Sequence, residues 1–231
     1  MGAPNRVAII TDTHFGIKKG SQIFHDYFEK FYQEVFFPTL DKEGIKTVLH
    51  LGDCFDVRKG IDYWSLDWAK RVFFNPLKAR GIQVHVIVGN HDIFYKNTLK
   101  INAPGLNLNE YENVTCYSSP QDVRVEGEDV FFIPWICEDN AEEFVEAMDS
   151  SQASVAMGHL EIAGFYANQN YSVNMELMPG SSVSSRKSFL VTFTKRTVVV
   201  ILLTSAILIN YFGLMRETPA VFTYSPWTQR S

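Results

Sequence analysis

Three short polar motifs in the chain combine side chains that could bind metal ions. They are Asp-Thr-His at 12–14, Gly-Asp at 52–53 and Gly-Asn-His-Asp at 89–92. Carboxylates, an amide oxygen and imidazoles together form a ligand set for hard to borderline divalent cations. Because histidine and asparagine stand beside aspartate, the set favours manganese or iron, with magnesium as an alternative.

Each motif directly follows a run of β-branched and apolar residues that predicts a buried strand. The runs cover 7–10, 47–49 and 84–88, and the helical spacing of apolar residues predicts helices over 21–42 and 62–80 between them. Strand-helix-strand units of this kind give a right-handed parallel sheet. Open α/β sheets build their sites at the carboxyl ends of the strands, so the three motifs should meet at one edge.

The chain after the third motif predicts a second set of elements. We expect a loop over 97–109, a helix over 141–148, and short strands at 114–117, 123–125, 130–133 and 153–157. The last strand leads into Gly158-His159, which adds an imidazole to the same edge.

These residues can be assigned roles in a site for two cations. Asp12 and His14 can bind one ion, because both leave the end of one strand. Asp53 can bridge two ions, since a carboxylate has two oxygens, and Asn90 and His159 offer an amide oxygen and an imidazole nitrogen. Two ions about 3.5–4 Å apart would support an in-line phosphoryl displacement. One histidine of the third motif, His91, then stays available to protonate a leaving alkoxide or to stabilise phosphoryl charge.

Other polar residues near the motifs have supporting roles in this hypothesis. Asp56 and Asp92 could orient the ligands, and Arg58 with its neighbour Lys59 could contact phosphate. Each motif alone is weak, because aspartate and histidine after a strand are often turn or cap residues. All three in order on consecutive predicted strands favour a metal site. Three further histidines are predicted to be structural: His25, His50 and His85.

Length and composition set broad limits. The 231 residues fit one large domain, or one domain with an appendage, and a hydrophobic content of 46% allows a sizeable core. The net charge of −5 gives no global basic field for nucleic acid, although a metal centre could face phosphates instead. Three cysteines without C-x-x-C spacing, and no secretory signal, favour a reducing cytoplasm.

The motifs resemble those of the calcineurin-like metallophosphoesterase superfamily, in which D-x-H, G-D and G-N-H-[D/E] precede a single histidine and then G-H-x-H. The closer resemblance is to the nuclease subunit of SbcCD-type repair complexes, especially its bacteriophage recombination counterparts. It covers about 7–166 and depends on the segments 52–59, 88–92, 95–97, 133–138, 158–161 and 164–166.

This resemblance implies a metallophosphoesterase-type α/β fold, a β-sandwich core with flanking helices, in a nuclease domain over 1–177. It implies a Mn-dependent DNA exo- or endonuclease of recombination or repair, which acts with an SMC-like ATPase and as a homodimer, in the host cytoplasm if a phage encodes it. It assigns His91 as the catalytic histidine and the following residues as ligands of two divalent metal ions: Asp12, His14, Asp53, Asn90 and His159.

The segment 178–231 departs from the family pattern. No histidine follows His159, so the G-H-x-H motif, which would add a ligand for each metal, is missing. The preferred hypothesis is a frameshift near 178–187, because codons for 190–194 can encode Gly-His-Phe-His in another frame. No membrane association is then expected. Alternatively, the apolar run 197–214 is a membrane helix, which needs about 17–25 residues, or a pair of buried strands.

The leading functional hypothesis is a two-metal phosphodiesterase that acts on DNA ends. One alternative is an inactive metal- or DNA-binding remnant that has lost part of its ligand set. Another is a membrane-tethered phosphoesterase for a small substrate. A serine hydrolase of the α/β type is disfavoured, because the chain has no G-x-S-x-G motif.

Overall fold

The computed structural model describes the backbone of residues 6–153 and 155–160 and of five short strands that lie beyond them, at 166–168, 171–172, 188–192, 206–209 and 221–223. Side chains are described up to residue 160.

A six-stranded sheet contains the strands of the first three motifs. Its members are β1 (Val7–Ile10), β2 (Thr47–His50), β3 (Gln83–Ile87), β4 (Val114–Tyr117), β11 (Ala206–Ile209) and β12 (Val221–Thr223). The order is β12-β11-β1-β2-β3-β4, and only β12 runs antiparallel to its neighbour. The predicted parallel arrangement of the first three strands is therefore confirmed.

A second sheet of four strands has the order β10-β7-β6-β5. It consists of β5 (Gln121–Val125), β6 (Glu128–Ile133), β7 (Val155–His159) and β10 (Ser188–Thr192). The strand predicted at 153–157 lies two residues later, so His159 is the last residue of β7. A separate antiparallel pair joins β8 (Tyr166–Asn168) and β9 (Tyr171–Ser172).

The two sheets pack face to face, because alternate residues of a strand point to opposite faces. Val7 and Ile9 of β1 lie in one apolar cluster with Phe132 of β6 and Met157 of β7. This cluster is the inner layer of a β-sandwich, as the predicted fold class requires.

Helices cover the outer faces of both sheets. Ala8 and Ile10, the other residues of β1, pack into a large aromatic cluster below the helices. Those helices are α1 (Gln22–Phe31), α2 (Phe37–Glu43), α3 (Tyr63–Ala69) and α4 (Asn75–Ala79). On the second sheet, Phe131 and Ala156 pack against Phe144 and Met148 of α6 (Ala141–Ser150). The predicted flanking helices are confirmed.

Neither of the two long predicted helices is a continuous α-helix. A π-helical turn, Tyr32–Phe36, joins α1 to α2, and a second, Lys70–Phe74, joins α3 to α4. Each turn ends two residues before a proline, Pro38 or Pro76. Proline lacks a backbone N–H and its ring clashes with the carbonyl four residues earlier. A wider turn at this point keeps the chain helical despite the proline.

Two further segments differ from the expectations or bear on the alternatives. The predicted loop at 97–109 contains a short helix, α5 (Ala103–Asn107), which the side chain of Asn102 caps by accepting a hydrogen bond from the Gly105 N–H (2.8 Å). In the apolar run 197–214, residues 206–209 form β11 beside β1, and the rest of the run lies outside the described residues. The described helices include none with the length and apolarity to cross a bilayer.

Phe73 tests the aromatic layer that holds the helices on the sheet. Its ring is fully buried, and its centroid lies 5.0 Å from the ring centroid of Tyr32 and 5.5 Å from those of Phe36 and Phe15. We expect Phe73→Ala to lower the free energy of unfolding by about 3–5 kcal/mol, because it leaves a cavity. Tyr63→Ala is the control, since Tyr63 is 90% exposed. Urea unfolding followed by circular dichroism measures both, and equal losses would contradict the assignment.

Candidate metal centre

The loops after β1 and β2 are bonded to each other through their backbones. The Asp12 N–H donates to Gly52 O (3.0 Å), and the His14 N–H donates to Asp53 O (3.1 Å). Asp12, His14 and Asp53 have left-handed φ angles of 53°, 42° and 51°. Such conformations cost on the order of 1–3 kcal/mol each and occur mainly at functional sites. The surrounding bonds therefore hold these three side chains in a strained but fixed arrangement.

Asp53 is fully buried and lies between two imidazoles. Its Oδ2 is 3.7 Å from His14 Nε2, and its Oδ1 is 3.4 Å from His159 Nε2. On the first side, Asp12 Oδ1 also lies 3.6 Å from His14 Nε2. Ligand atoms of Asp12, His14 and Asp53 all lie within 4.8 Å of one another. The two oxygens of one carboxylate thus face two separate groups of donors.

The ring nitrogens that face away from Asp53 each lie close to an oxygen atom. His159 Nδ1 lies 2.9 Å from Leu51 O, so this nitrogen carries the proton and donates it to the carbonyl. His14 Nδ1 lies 3.3 Å from Asp56 Oδ1. A partner on one ring nitrogen sets the tautomer and leaves the other nitrogen with a lone pair for a metal. Both imidazoles could therefore bind a metal through Nε2.

Asn90 completes the donor group on the His159 side. Its amide lies 3.0 Å from His159 Nε2 and 3.3 Å from both oxygens of Asp53. With the amide oxygen turned inward, only acceptor atoms face one another, which is favourable if a cation lies among them. Rotated by half a turn, the amide would instead donate to Asp53. The inward oxygen is the orientation that binds a metal, and the donor set fits one.

The charge balance also fits cations. Burial lowers the pKa of His14, but hydrogen bonds to Asp12 and Asp56 and the charge of Asp53 raise it to about 10. His159 behaves in the same way: burial lowers its pKa, while the charge of Asp53 and a hydrogen bond to it raise the value to about 9. Excess negative charge in the pocket therefore attracts either protons or metal ions.

His91 lies at the edge of this pocket. Its backbone N–H donates to Asp53 Oδ1 (2.8 Å), and its Nδ1 lies 2.8 Å from Asp56 O, to which it donates. The ring is half-buried and meets the ring of His14 edge-on, with centroids 4.9 Å apart. Its Nδ1 is thus engaged, and Nε2 is the ring nitrogen that could exchange a proton. Asp56 therefore orients both histidines, one through its side chain and one through its carbonyl.

Two glycines allow the close approach of these loops. A Cβ on Gly52 would meet the ring of His159, and Gly52 also has a φ of 97°. A Cβ on Gly89 would overlap the backbone nitrogen and Oδ1 of Asp53. The glycines of the second and third motifs thus have a steric function: they let the imidazole and the bridging carboxylate reach their positions.

Asp92 links the second and third motifs. Its carboxylate is fully buried and accepts hydrogen bonds from the backbone N–H groups of Phe55 (2.9 Å), Gly89 (2.9 Å) and Cys54 (3.3 Å). Burial and the charge of Asp53 raise its pKa to about 7, although these bonds lower it. One side chain thus fixes the loop of Asp53 relative to the loop of His91.

The structure brings together most of the residues that the sequence singled out. The converging set is Asp12, His14, Asp53, Asp56, Asn90, His91, Asp92 and His159. Arg58 lies farther along the loop after β2, where it lines a surface pocket of about 120 Å³. The three histidines expected to be structural contact other side chains: His25 stacks on Trp68, His50 lies beside Thr13, and His85 beside Tyr117.

Sequence reasoning missed two contributors. The Thr11 hydroxyl donates to Asp12 Oδ2 (2.6 Å) and so orients that carboxylate. The ring of Trp135 packs against His159, with centroids 6.1 Å apart. A hydroxyl before the first motif gave a weak signal, because threonine is also common in strands. Trp135 gave none, since its contact joins distant parts of the chain.

Comparison with known proteins gives a family and a relative. Residues 5–183 match the family described as calcineurin-like phosphoesterase. Exonuclease subunit 1 of Enterobacteria phage T4 is 42% identical over 125 residues, which cover 54% of this chain and 37% of the relative. The chain therefore spans little more than a third of that relative's length.

Two solved structures are also similar. A protein of unknown function from Aquifex aeolicus is 20% identical, with a TM-score of 0.38, and the match covers 67% of this chain and 78% of that one. A nuclease from Pseudomonas putida is 17% identical, with a TM-score of 0.39, and the match covers 82% and 62%.

Asp92→Asn tests the link between the two loops. The amide would point N–H groups at backbone donors that now face a carboxylate oxygen, so we expect a loss of about 1–3 kcal/mol in the free energy of unfolding. Asp67→Asn is the matched control, because Asp67 is exposed on α3. Urea unfolding of both variants measures the difference. If Asp92→Asn is as stable as the control, the carboxylate does not hold the loops.

Proposed function

Because the chain belongs to the calcineurin-like phosphoesterase family, we propose that it hydrolyses phosphodiester bonds of DNA with two divalent metal ions, manganese in the first place. The observation that carries this proposal is the position of Asp53. Its two oxygens face two imidazoles, and each imidazole has its other nitrogen held by a partner. A carboxylate between two donor groups is the arrangement expected for a bridging ligand.

The proposed ligands fall into two groups, one for each ion. Asp12 and His14 would hold one ion, Asn90 and His159 the other, and Asp53 would bind both. Ions in such a site supply Lewis-acid stabilisation of phosphoryl oxygens and activation of water. The mixture of carboxylate, imidazole and amide ligands favours manganese or iron over magnesium.

His91 would donate a proton to the leaving oxygen. Its Nδ1–H donates to Asp56 O, which fixes the ring, and the residue as a whole is half-buried. A histidine placed in this way can move a proton at neutral pH. Its backbone N–H also bonds Asp53, so the proton donor keeps a constant position relative to the bridging carboxylate.

The phage relative supports a nuclease that works in a complex, since it is named an exonuclease subunit. We propose DNA as the substrate, recombination or repair in a cytoplasm as the setting, an SMC-like ATPase as partner and a homodimer as the assembly. The relative's greater length leaves room for the parts that would bind such a partner.

The missing G-H-x-H motif favours a second candidate, an inactive metal- or DNA-binding remnant. No histidine follows His159, so each metal would lack one family ligand. The segment whose codons can encode that motif overlaps β10, which pairs in parallel with β7 and places Thr192 opposite His159. This strand therefore reaches the edge of the sheet where the missing ligands would be needed.

Substitutions at two positions separate metal binding from proton transfer. We expect Asp53→Asn to weaken manganese binding by more than about 100-fold, beyond the 10- to 100-fold typical of residues that only orient a ligand, and to abolish hydrolysis. His91→Gln should retain manganese and lower kcat by about 100- to 10,000-fold. Calorimetric titration with manganese and cleavage of labelled DNA measure these effects.

The matched control is His85→Gln, since His85 lies in β3 and bonds Tyr117 outside the site. Metal binding with no cleavage in the unsubstituted chain would favour the remnant. Cleavage that survives Asp53→Asn would contradict the bridging role.

The nucleotide sequence of codons 178–231 and the region downstream tests the frameshift. An alternative frame that stays open and encodes Gly-His-Phe-His would make the parent protein a complete two-metal enzyme. We then expect the restored protein to bind manganese more tightly than this chain. A closed frame would show that the apolar segment is native and that the ligand set is incomplete by descent.

A further inference from the structure

Two loops beside the metal centre run side by side, and each carries two basic residues. Phe15 and Phe55 form a parallel bridge, and the Asp56 N–H donates to Phe15 O (3.1 Å). Three and four residues beyond this bridge, each loop has two consecutive basic residues, Lys18-Lys19 in one and Arg58-Lys59 in the other. We call these four residues the twin basic pairs. They lie beyond the carboxyl ends of β1 and β2, on the side of the metal centre.

The first pair has an unusual backbone. Lys18 and Lys19 have left-handed φ angles of 54° and 59°, within a turn closed by the Gly20 N–H, which donates to Gly16 O (3.0 Å). For residues with a Cβ this conformation costs roughly 1–2 kcal/mol each. The turn lies against Ser65, the nearest side chain to both glycines. The fold therefore bears a cost to present two exposed ammonium groups at this place.

The twin basic pairs have no carboxylate partners among the described residues. Basic residues on the helices generally do: Lys70 pairs with Glu110, and Arg80 with Asp41. Of the four, Lys59 has a ring contact, since its Nζ lies 5.9 Å above the ring of Phe94. In a chain of net charge −5, unneutralised cations on two adjacent loops form a local positive surface.

We propose that the twin basic pairs bind backbone phosphates of a DNA strand next to the bond that is cleaved. This inference rests on the proposed function and adds the contacts that select a polymer. The metal centre holds one phosphate, and a small phosphoester has no other. A strand offers several, so cations on two loops beside the centre bind DNA and leave small substrates unaffected. Such contacts position the strand without reading its sequence.

Lys18→Gly/Lys19→Gly is the decisive variant. Glycine adopts left-handed φ readily, so the turn is kept while both charges are lost. Binding to a duplex with hydrolysis-resistant phosphorothioate linkages is followed by fluorescence anisotropy at a fixed manganese concentration and several salt concentrations. The slope of log K against log salt is negative, and each lost phosphate contact makes it shallower by about 0.9. We expect a slope that is shallower by about 1.8 and roughly tenfold weaker binding at low salt.

Two comparison variants make the result specific. Lys46→Ala/Lys78→Ala removes the same charge at the opposite edge, because Lys46 precedes β2 and Lys78 lies at the end of α4 before β3. It should leave the slope unchanged, and Lys18→Arg/Lys19→Arg should restore binding. Hydrolysis of bis(p-nitrophenyl) phosphate should be equal in all variants.

Equal slopes for the glycine variant and the unsubstituted chain would overturn the inference, as would a loss of the same size in Lys46→Ala/Lys78→Ala. No hydrolysis of either substrate by the unsubstituted chain would instead contradict the proposed function. The slope comparison does not depend on catalysis and would still decide the role of the twin basic pairs.

Discussion

The buried carboxylate of Asp53 is the constraint that shapes this site. A charge removed from water must be compensated by nearby donors or cations. Without metal ions the compensation comes from the protonated imidazoles of His14 and His159 and from the backbone N–H of His91, and bound cations would take the place of the imidazole protons. These three residues come from three different strand ends, so the compensation exists only when the strands are in register. The site is therefore complete only in the folded sandwich.

The backbone around Asp53 follows from the same constraint. Left-handed residues at the ends of β1 and β2 turn the side chains inward, and Gly89 leaves space for the carboxylate. Asp92 is buried behind this arrangement and bonds backbone N–H groups of both neighbouring loops. Burial and the nearby charge of Asp53 raise the pKa of Asp92 to about 7, so keeping Asp92 ionised at this position costs free energy of folding. Cations at the centre would relieve that repulsion.

The sequence predicted the parallel strands, and it singled out residues that the structure brings together, because both depend on local patterns. Apolar runs followed by charged residues indicate strand ends, and such ends meet at one edge of a sheet. The π-helical turns were missed, although Pro38 and Pro76 marked them, because the apolar spacing continues past both prolines. The helix at 103–107 has five residues, too few for apolar periodicity to report, although its cap Asn102 is a local signal. The contact of Trp135 with His159 joins residues distant in sequence, which periodicity does not report.

The acidic residues of the pocket and the basic residues of the neighbouring loops have different proposed functions, the first in metal binding and the second in substrate binding. A pocket of aspartates repels a polyanion until metal ions neutralise it, and the net charge of −5 adds to the repulsion. Salt screens charges beyond about 8–10 Å, so only cations near the centre can offset this repulsion for a bound strand. The loops that leave β1 and β2 are tied together by the bridge at Phe15 and Phe55, and they carry the four basic residues proposed to bind the strand. Asp12, His14 and Asp53 lie on the same two loops, so a short stretch of backbone links these proposed metal ligands to the basic residues.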